Sequence, residues 1–116
     1  DDLAMKNLMC YLSPDMEKHT GESLTPTYSY LRVYKKGDEL KRHIDKNSCQ
    51  FSVTLTLMRE PNEDIWPIYL ETDSIYKIDL EAGDGLIYRG TVSPHWREEF
   101  EGSRLAQVFL HYVRRT

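Results

Sequence analysis

Residues 51–58, Phe-Ser-Val-Thr-Leu-Thr-Leu-Met, decide the fold class, because Phe51, Val53, Leu55 and Leu57 alternate with Ser52, Thr54, Thr56 and Met58. A period of two places one set on each face of a β-strand. Upstream, Ser29, Leu31 and Val33 alternate with Tyr28, Tyr30, Arg32 and Tyr34 in the same way. Downstream, short segments around 67–71, 75–80, 85–89 and 104–113 are rich in aromatic and β-branched residues. They are punctuated by Gly37, Pro61, Gly83, Gly90 and Gly102. The beginning of the chain differs. Met5, Leu8, Met9 and Leu12 fall at helical spacing, with Asp1 or Asp2 placed to cap, and Ser13-Pro14-Asp15 has the form of a second helix start that Gly21 can stop. Many short strands with a helical flank predict a mainly β protein with N-terminal helices. The architecture expected is a sandwich or barrel, with a jelly roll favoured. The expected organisation is one domain over 1–116, with a helical flank at about 1–22 and a barrel at about 27–114.

Composition narrows the function classes. The chain has 116 residues, enough for one core, and its 40% hydrophobic and 29% charged content is that of an ordinary globular domain. No apolar run approaches the roughly 20 residues of a membrane span, so no membrane partner is expected. A net charge of −4 disfavours nucleic acid as a partner. Cys10 and Cys49 are too few for a disulfide framework, and the opening residues carry no secretory leader pattern. A reduced, cytoplasmic setting is the expectation.

The residues that carry chemistry are His43, Asp45 and His95, with Arg104 nine residues after His95. Two imidazoles and one carboxylate leave neighbouring positions open on one face of an Fe(II) ion, the arrangement that non-haem iron oxygenases use. His43 and Asp45 are two apart, so on an extended segment both face one side while Ile44 faces the other. Pro94 cannot donate to a sheet ladder, which places His95 at the start of a strand. Arg104 opens a segment in which Ala106, Val108, Leu110 and Tyr112 share its face, and a small Ala106 beside it leaves room for a ligand stem. His111 falls on the opposite face and is excluded from the site. A packing or surface role is the reading for it, as for His19 in its polar helix end.

Taken with Tyr34, Gly37, Gly83-Asp84 and Pro94 around them, these residues resemble the 2-oxoglutarate and Fe(II)-dependent dioxygenases, in their prolyl-hydroxylase-like branch. The likeness runs from Tyr28 to Val113. It implies the family's double-stranded β-helix, a cupin-like jelly-roll barrel in agreement with the period and turn signals, with Fe(II) held by His43, Asp45 and His95, 2-oxoglutarate as cosubstrate, and O2. Arg104 would hold the distal carboxylate of 2-oxoglutarate. Tyr34 and Tyr30 are candidate donors to the cosubstrate, with barrel filling as the other reading, and Thr54 and Thr56 are candidate lining residues. The implied reaction is hydroxylation of a peptidyl residue, amino acid or small acid, with release of succinate and CO2. The spacing from His95 to Arg104 argues against the nucleic-acid demethylase branch. Arg32, Arg89, Arg97, Trp96 and Tyr88 are candidates for substrate contact, and the stretch Glu60 to Trp66 is the candidate specificity loop. Two other classes stay open: a non-catalytic cupin-like module that binds a metal or small acid, and a degenerate structural domain.

Overall fold

A computed structural model describes residues 3–63 and 65–115. One helix, α1 (Leu3–Thr20), precedes eight strands: β1 (Leu24–Lys35), β2 (Leu40–His43), β3 (Phe51–Glu60), β4 (Ile68–Glu71), β5 (Ile75–Ile78), β6 (Gly85–Tyr88), β7 (His95–Arg97) and β8 (Arg104–Arg114). They form two four-stranded antiparallel sheets, ordered β1-β8-β3-β6 and β2-β7-β4-β5. This is a jelly roll, as the alternation predicts.

The helical flank is one helix rather than two. Pro14 lies inside α1, where its missing N–H costs a single backbone bond. Tertiary contacts carry the helix through that position: Met9 and Met16 are both buried against β8, and the Tyr112 hydroxyl donates to the Met9 carbonyl at 2.8 Å. Gly21, with φ of 74°, ends the helix as expected. The capping expected of Asp1 or Asp2 lies outside the described residues.

Helix α1 covers the outer face of the larger sheet. Its Met9 and Met16 pack with Leu24, Phe51, Val53, Val108, Leu110 and Tyr112 in one apolar cluster. Each fully buried aliphatic side chain there stabilises the fold by about 1.5–3 kcal/mol. The inner face of the same sheet is polar and equally buried. Ser52, Thr54, Thr56, Gln107 and His111 all stand there, and the Gln107 amide donates to the Thr54 hydroxyl at 2.7 Å while the Thr56 hydroxyl donates to the Gln107 carbonyl oxygen at 2.8 Å. A second cluster of Tyr34, Trp66, Phe100 and Leu105 fills the space between the sheets near the end of β1.

A bulge between Thr56 and Met58 changes the faces of β3 partway along. Phe51, Val53 and Leu55 alternate with Ser52, Thr54 and Thr56 as the sequence predicts. Beyond the bulge, Met58 pairs with Ala106 on the outer side and Arg59 turns inward opposite Leu105. Leu57 and Met58 are consequently both exposed.

Candidate metal centre

Two strand ends and one loop bring His43, Asp45 and His95 together. His43 closes β2 and His95 opens β7, and the two residues are paired across the smaller sheet with ring centroids 4.4 Å apart. Asp45 follows β2 by two residues, and its backbone N–H donates to the Gly90 carbonyl at 2.7 Å. The carboxylate then lies between the imidazoles, with Oδ1 at 3.3 Å from Nε2 of His43 and 3.2 Å from Nε2 of His95. Gly90 makes this possible. A Cβ there would stand 2.2 Å from Asp45 Oδ2, so any larger residue displaces the carboxylate.

Both histidines are oriented by the same device. Nδ1 of His43 lies 2.7 Å from the Lys41 carbonyl, and Nδ1 of His95 lies 2.9 Å from the Ser93 carbonyl. A carbonyl only accepts, so each Nδ1 carries the proton and each Nε2 turns toward Asp45. In the neutral tautomer two lone pairs then face a carboxylate oxygen. That cluster calls for a cation between them. One ligand atom from each of the three residues lies within 4.8 Å of the other two, and Asp45 Oδ2 is buried without a hydrogen-bond partner. The donor set, two imidazoles and a carboxylate, suits Fe(II) with open positions.

A cavity of about 170 Å³ adjoins the triad, lined by Tyr30, Arg32, Tyr34, Leu40, Tyr88, Phe109 and His111 as well as the three triad residues. That volume suits one small molecule. Tyr30 is 56% exposed, whereas Tyr34 is fully buried. Burial raises the Tyr34 and Tyr88 phenols, keeping both protonated as donors at neutral pH. Arg97, 2% exposed, stands beside both tyrosines with its guanidinium 4.7 Å from the Trp66 ring centroid, and its Nη1 donates to the Trp66 carbonyl at 2.8 Å. Burial pushes Arg97 down to about 10, which leaves it a cation at neutral pH. Its Nη2 and the Tyr34 hydroxyl are buried without hydrogen-bond partners. Tyr34 lines the cavity and Arg97 stands behind it, outside the lining residues; an unpaired phenol with a buried guanidinium next to it can answer an anionic oxygen.

Arg104 stands elsewhere. It lies on the outer face of β8, its side chain 59% exposed, with Nη2 3.2 Å from Glu60. Expected to hold the distal carboxylate of 2-oxoglutarate, it is not among the cavity-lining residues, because the face shared by Arg104, Ala106, Val108, Leu110 and Tyr112 is the one that meets α1. The excluded His111 is on the cavity face instead. Thr54, expected to line the site, is fully buried and engaged by Gln107. Among the candidates for substrate contact, Arg32 lines the cavity with its guanidinium 4.2 Å from the Tyr34 ring centroid. Trp96 stacks on Tyr69, with centroids 5.5 Å apart, and Arg89 lies over Phe51. Neither is among the cavity-lining residues. A usable sequence signal for His111 existed: the polar residues of β3 and the polar residues of β8, Gln107 and His111, mark one common wall.

No family model and no curated protein matches the sequence. Solved structures do match. An oxidoreductase of the 2OG-Fe(II) oxygenase family from Burkholderia pseudomallei superposes with a TM-score of 0.78 at 13% identity, covering 95% of this chain and 58% of that one. A prolyl-4-hydroxylase from Pseudomonas putida gives 0.70 at 18% identity, covering 91% and 63% respectively. A cupin domain from Bordetella pertussis gives 0.50 at 15% identity over 77% and 92%. These likenesses establish the jelly-roll fold. The chain spans about three fifths of the length of each of the two oxygenase-fold structures.

Proposed function

We propose that this chain is an Fe(II)- and 2-oxoglutarate-dependent dioxygenase domain, an oxidoreductase that hydroxylates a peptidyl residue, amino acid or small acid. The observation that carries this reading is the convergence of His43, Asp45 and His95, with both Nε2 atoms turned inward by backbone carbonyls. His43, Asp45 and His95 would hold the iron. When bound, iron with 2-oxoglutarate supplies the activation of O2 that inserts oxygen into a C–H bond, converting the cosubstrate to succinate and CO2.

This chain's own residues position the reactants. Asp45 supplies the anionic ligand and Gly90 leaves it room. Tyr34, which lines the cavity, and Arg97 next to it take the anchoring role in place of Arg104, because both keep a buried donor without a partner. A guanidinium shielded from water holds a carboxylate more strongly than an exposed one. Tyr88 packs edge-on against His95, with centroids 4.8 Å apart, and keeps that side of the triad dry. Tyr30 and the half-exposed His43 mark the open side, through which a small molecule or a peptide side chain enters. The chain's net negative charge supports neither nucleic acid nor an anionic surface as partner.

Succinate formation from 2-oxoglutarate, with Fe(II) and O2, tests the reading. Activity is expected in the parent and lost in His95→Ala and Asp45→Ala, while Arg97→Lys raises the KM for 2-oxoglutarate about tenfold or more. Anaerobic addition of Fe(II) and 2-oxoglutarate should give the weak visible band of the chelate. Metal binding with neither band nor succinate would overturn the enzyme in favour of a cupin-like binding module.

A further inference from the structure

Asp45 belongs to a second group of ligand atoms. Cys49 Sγ, a nitrogen of His111 and a carboxylate oxygen of Asp45 all lie within 4.8 Å of one another. We propose that Asp45, Cys49 and His111 form a second cation position, suited to Zn(II) or another thiophilic divalent ion, and that Asp45 bridges it to the position at His43 and His95. The proposal stands on this geometry and does not depend on the dioxygenase reading.

The carboxylate has the free edge that bridging needs. Oδ1 faces both triad imidazoles, while Oδ2 is buried without a hydrogen-bond partner. A point at the Cβ position of Gly90 is 2.2 Å from Oδ2 and 2.9 Å from the Cys49 carbonyl, so the free oxygen and the Cys49 backbone share the space that Gly90 leaves open. A buried carboxylate oxygen with no donor is costly unless a cation answers it.

The other two groups are held in ligand-ready form. Cys49 is 2% exposed at the end of a short 3-10 turn (Asn47–Cys49), fixed by its backbone N–H donating to the Lys46 carbonyl at 2.9 Å. Its sulfur lies 3.1 Å from the Tyr28 hydroxyl, which can donate to a thiolate. Nδ1 of His111 meets the Ser52 hydroxyl at 2.7 Å, which leaves Nε2 for an ion. The Tyr28 ring packs on His111 with centroids 4.7 Å apart, closing the group from the β1 side. One thiolate, one imidazole and one carboxylate form a mixed sulfur, nitrogen and oxygen set that favours Zn(II) over Mg(II) or Ca(II). Binding releases the thiol proton to solvent as the metal–sulfur bond forms. Two ions bridged by one carboxylate would stand about 3.5–4 Å apart.

Anaerobic titration of the full chain with Co(II) tests the proposal, read by equilibrium dialysis and by the near-ultraviolet thiolate-to-cobalt band. The parent and Cys10→Ser should bind two equivalents and show the band. Cys49→Ser and His111→Gln should each bind one equivalent without the band, and His95→Ala should keep the band with one equivalent. Circular dichroism of each variant separates a lost ligand from a lost fold. A parent that binds one ion without a thiolate band overturns the proposal, as does a Cys49→Ser variant that retains both equivalents. Either result leaves the His43, Asp45 and His95 position, and the succinate assay that reads it, untouched.

Discussion

The two faces of β8 are both buried and do opposite work. The outer face, with Val108, Leu110 and Tyr112, is apolar, meets α1 and supplies much of the core. On the inner face Gln107 ties Thr54 to Thr56, and Phe109 and His111 line the cavity. The difference teaches that in this barrel an apolar stripe marks where a helix docks, whereas buried polar groups that satisfy one another mark the cavity side. Arg104 and Arg97 repeat the contrast: the first pairs with Glu60 in solvent, and the second is buried with an unanswered Nη2.

The largest effect should come from the cavity side. Gly90→Ala forces a methyl group against Asp45 Oδ2 and the Cys49 carbonyl, so succinate formation and Fe(II) affinity should fall by about 10–100-fold, the range for residues that orient a metal ligand. An isothermal titration with Fe(II) beside an activity assay checks this, and unchanged affinity would mean that the carboxylate is not fixed by Gly90. On the outer face the readout should move from activity to stability. Leu110→Ala, at a fully buried position, should lower unfolding free energy by about 2–5 kcal/mol in a urea titration while the KM for 2-oxoglutarate stays at the parent value. A raised KM at full stability would show that the two faces are not independent.

Gln107→Ala removes the partner of two buried threonine hydroxyls, and should cost about 1–3 kcal/mol. Thermal unfolding measures it, and a neutral result would mean that the hydroxyls find other partners. The smallest effect belongs to Arg104→Ala. An exposed ion pair contributes about 0–1 kcal/mol, so stability and KM for 2-oxoglutarate should both remain near the parent values. A tenfold rise in KM there would return the anchor to Arg104 and break the contrast between the two arginines.

Much of the fold was legible because side-chain periodicity is a local property. Alternation in 51–56 and 28–34 gave strands β3 and β1, and Gly21 marked the end of α1. Pro14 misled, since the signal for a helix start is also local and the packing of Met16 on the sheet overrides it. The bulge at Thr56/Met58 left no mark in the alternation, and it turned Met58 outward. At the site, the two-residue spacing marked His43 and Asp45 as neighbours, but Asp45 lies in the loop after β2, where its N–H bond to the Gly90 carbonyl sets its place. The partnership of His95 with them needed β2 to pair with β7 across the smaller sheet.

The sequence by itself determined the strand-rich class, the helical flank and the candidate donor types, because periodicity and donor chemistry are carried by residues and their immediate neighbours. Tertiary structure alone decided which of two buried faces of β8 became the cavity wall. Parity divides a strand into two sets of side chains but assigns neither set to a compartment. That assignment came from where α1 docked, which turned Arg104 outward and His111 inward and left Arg97 buried with a donor to spare.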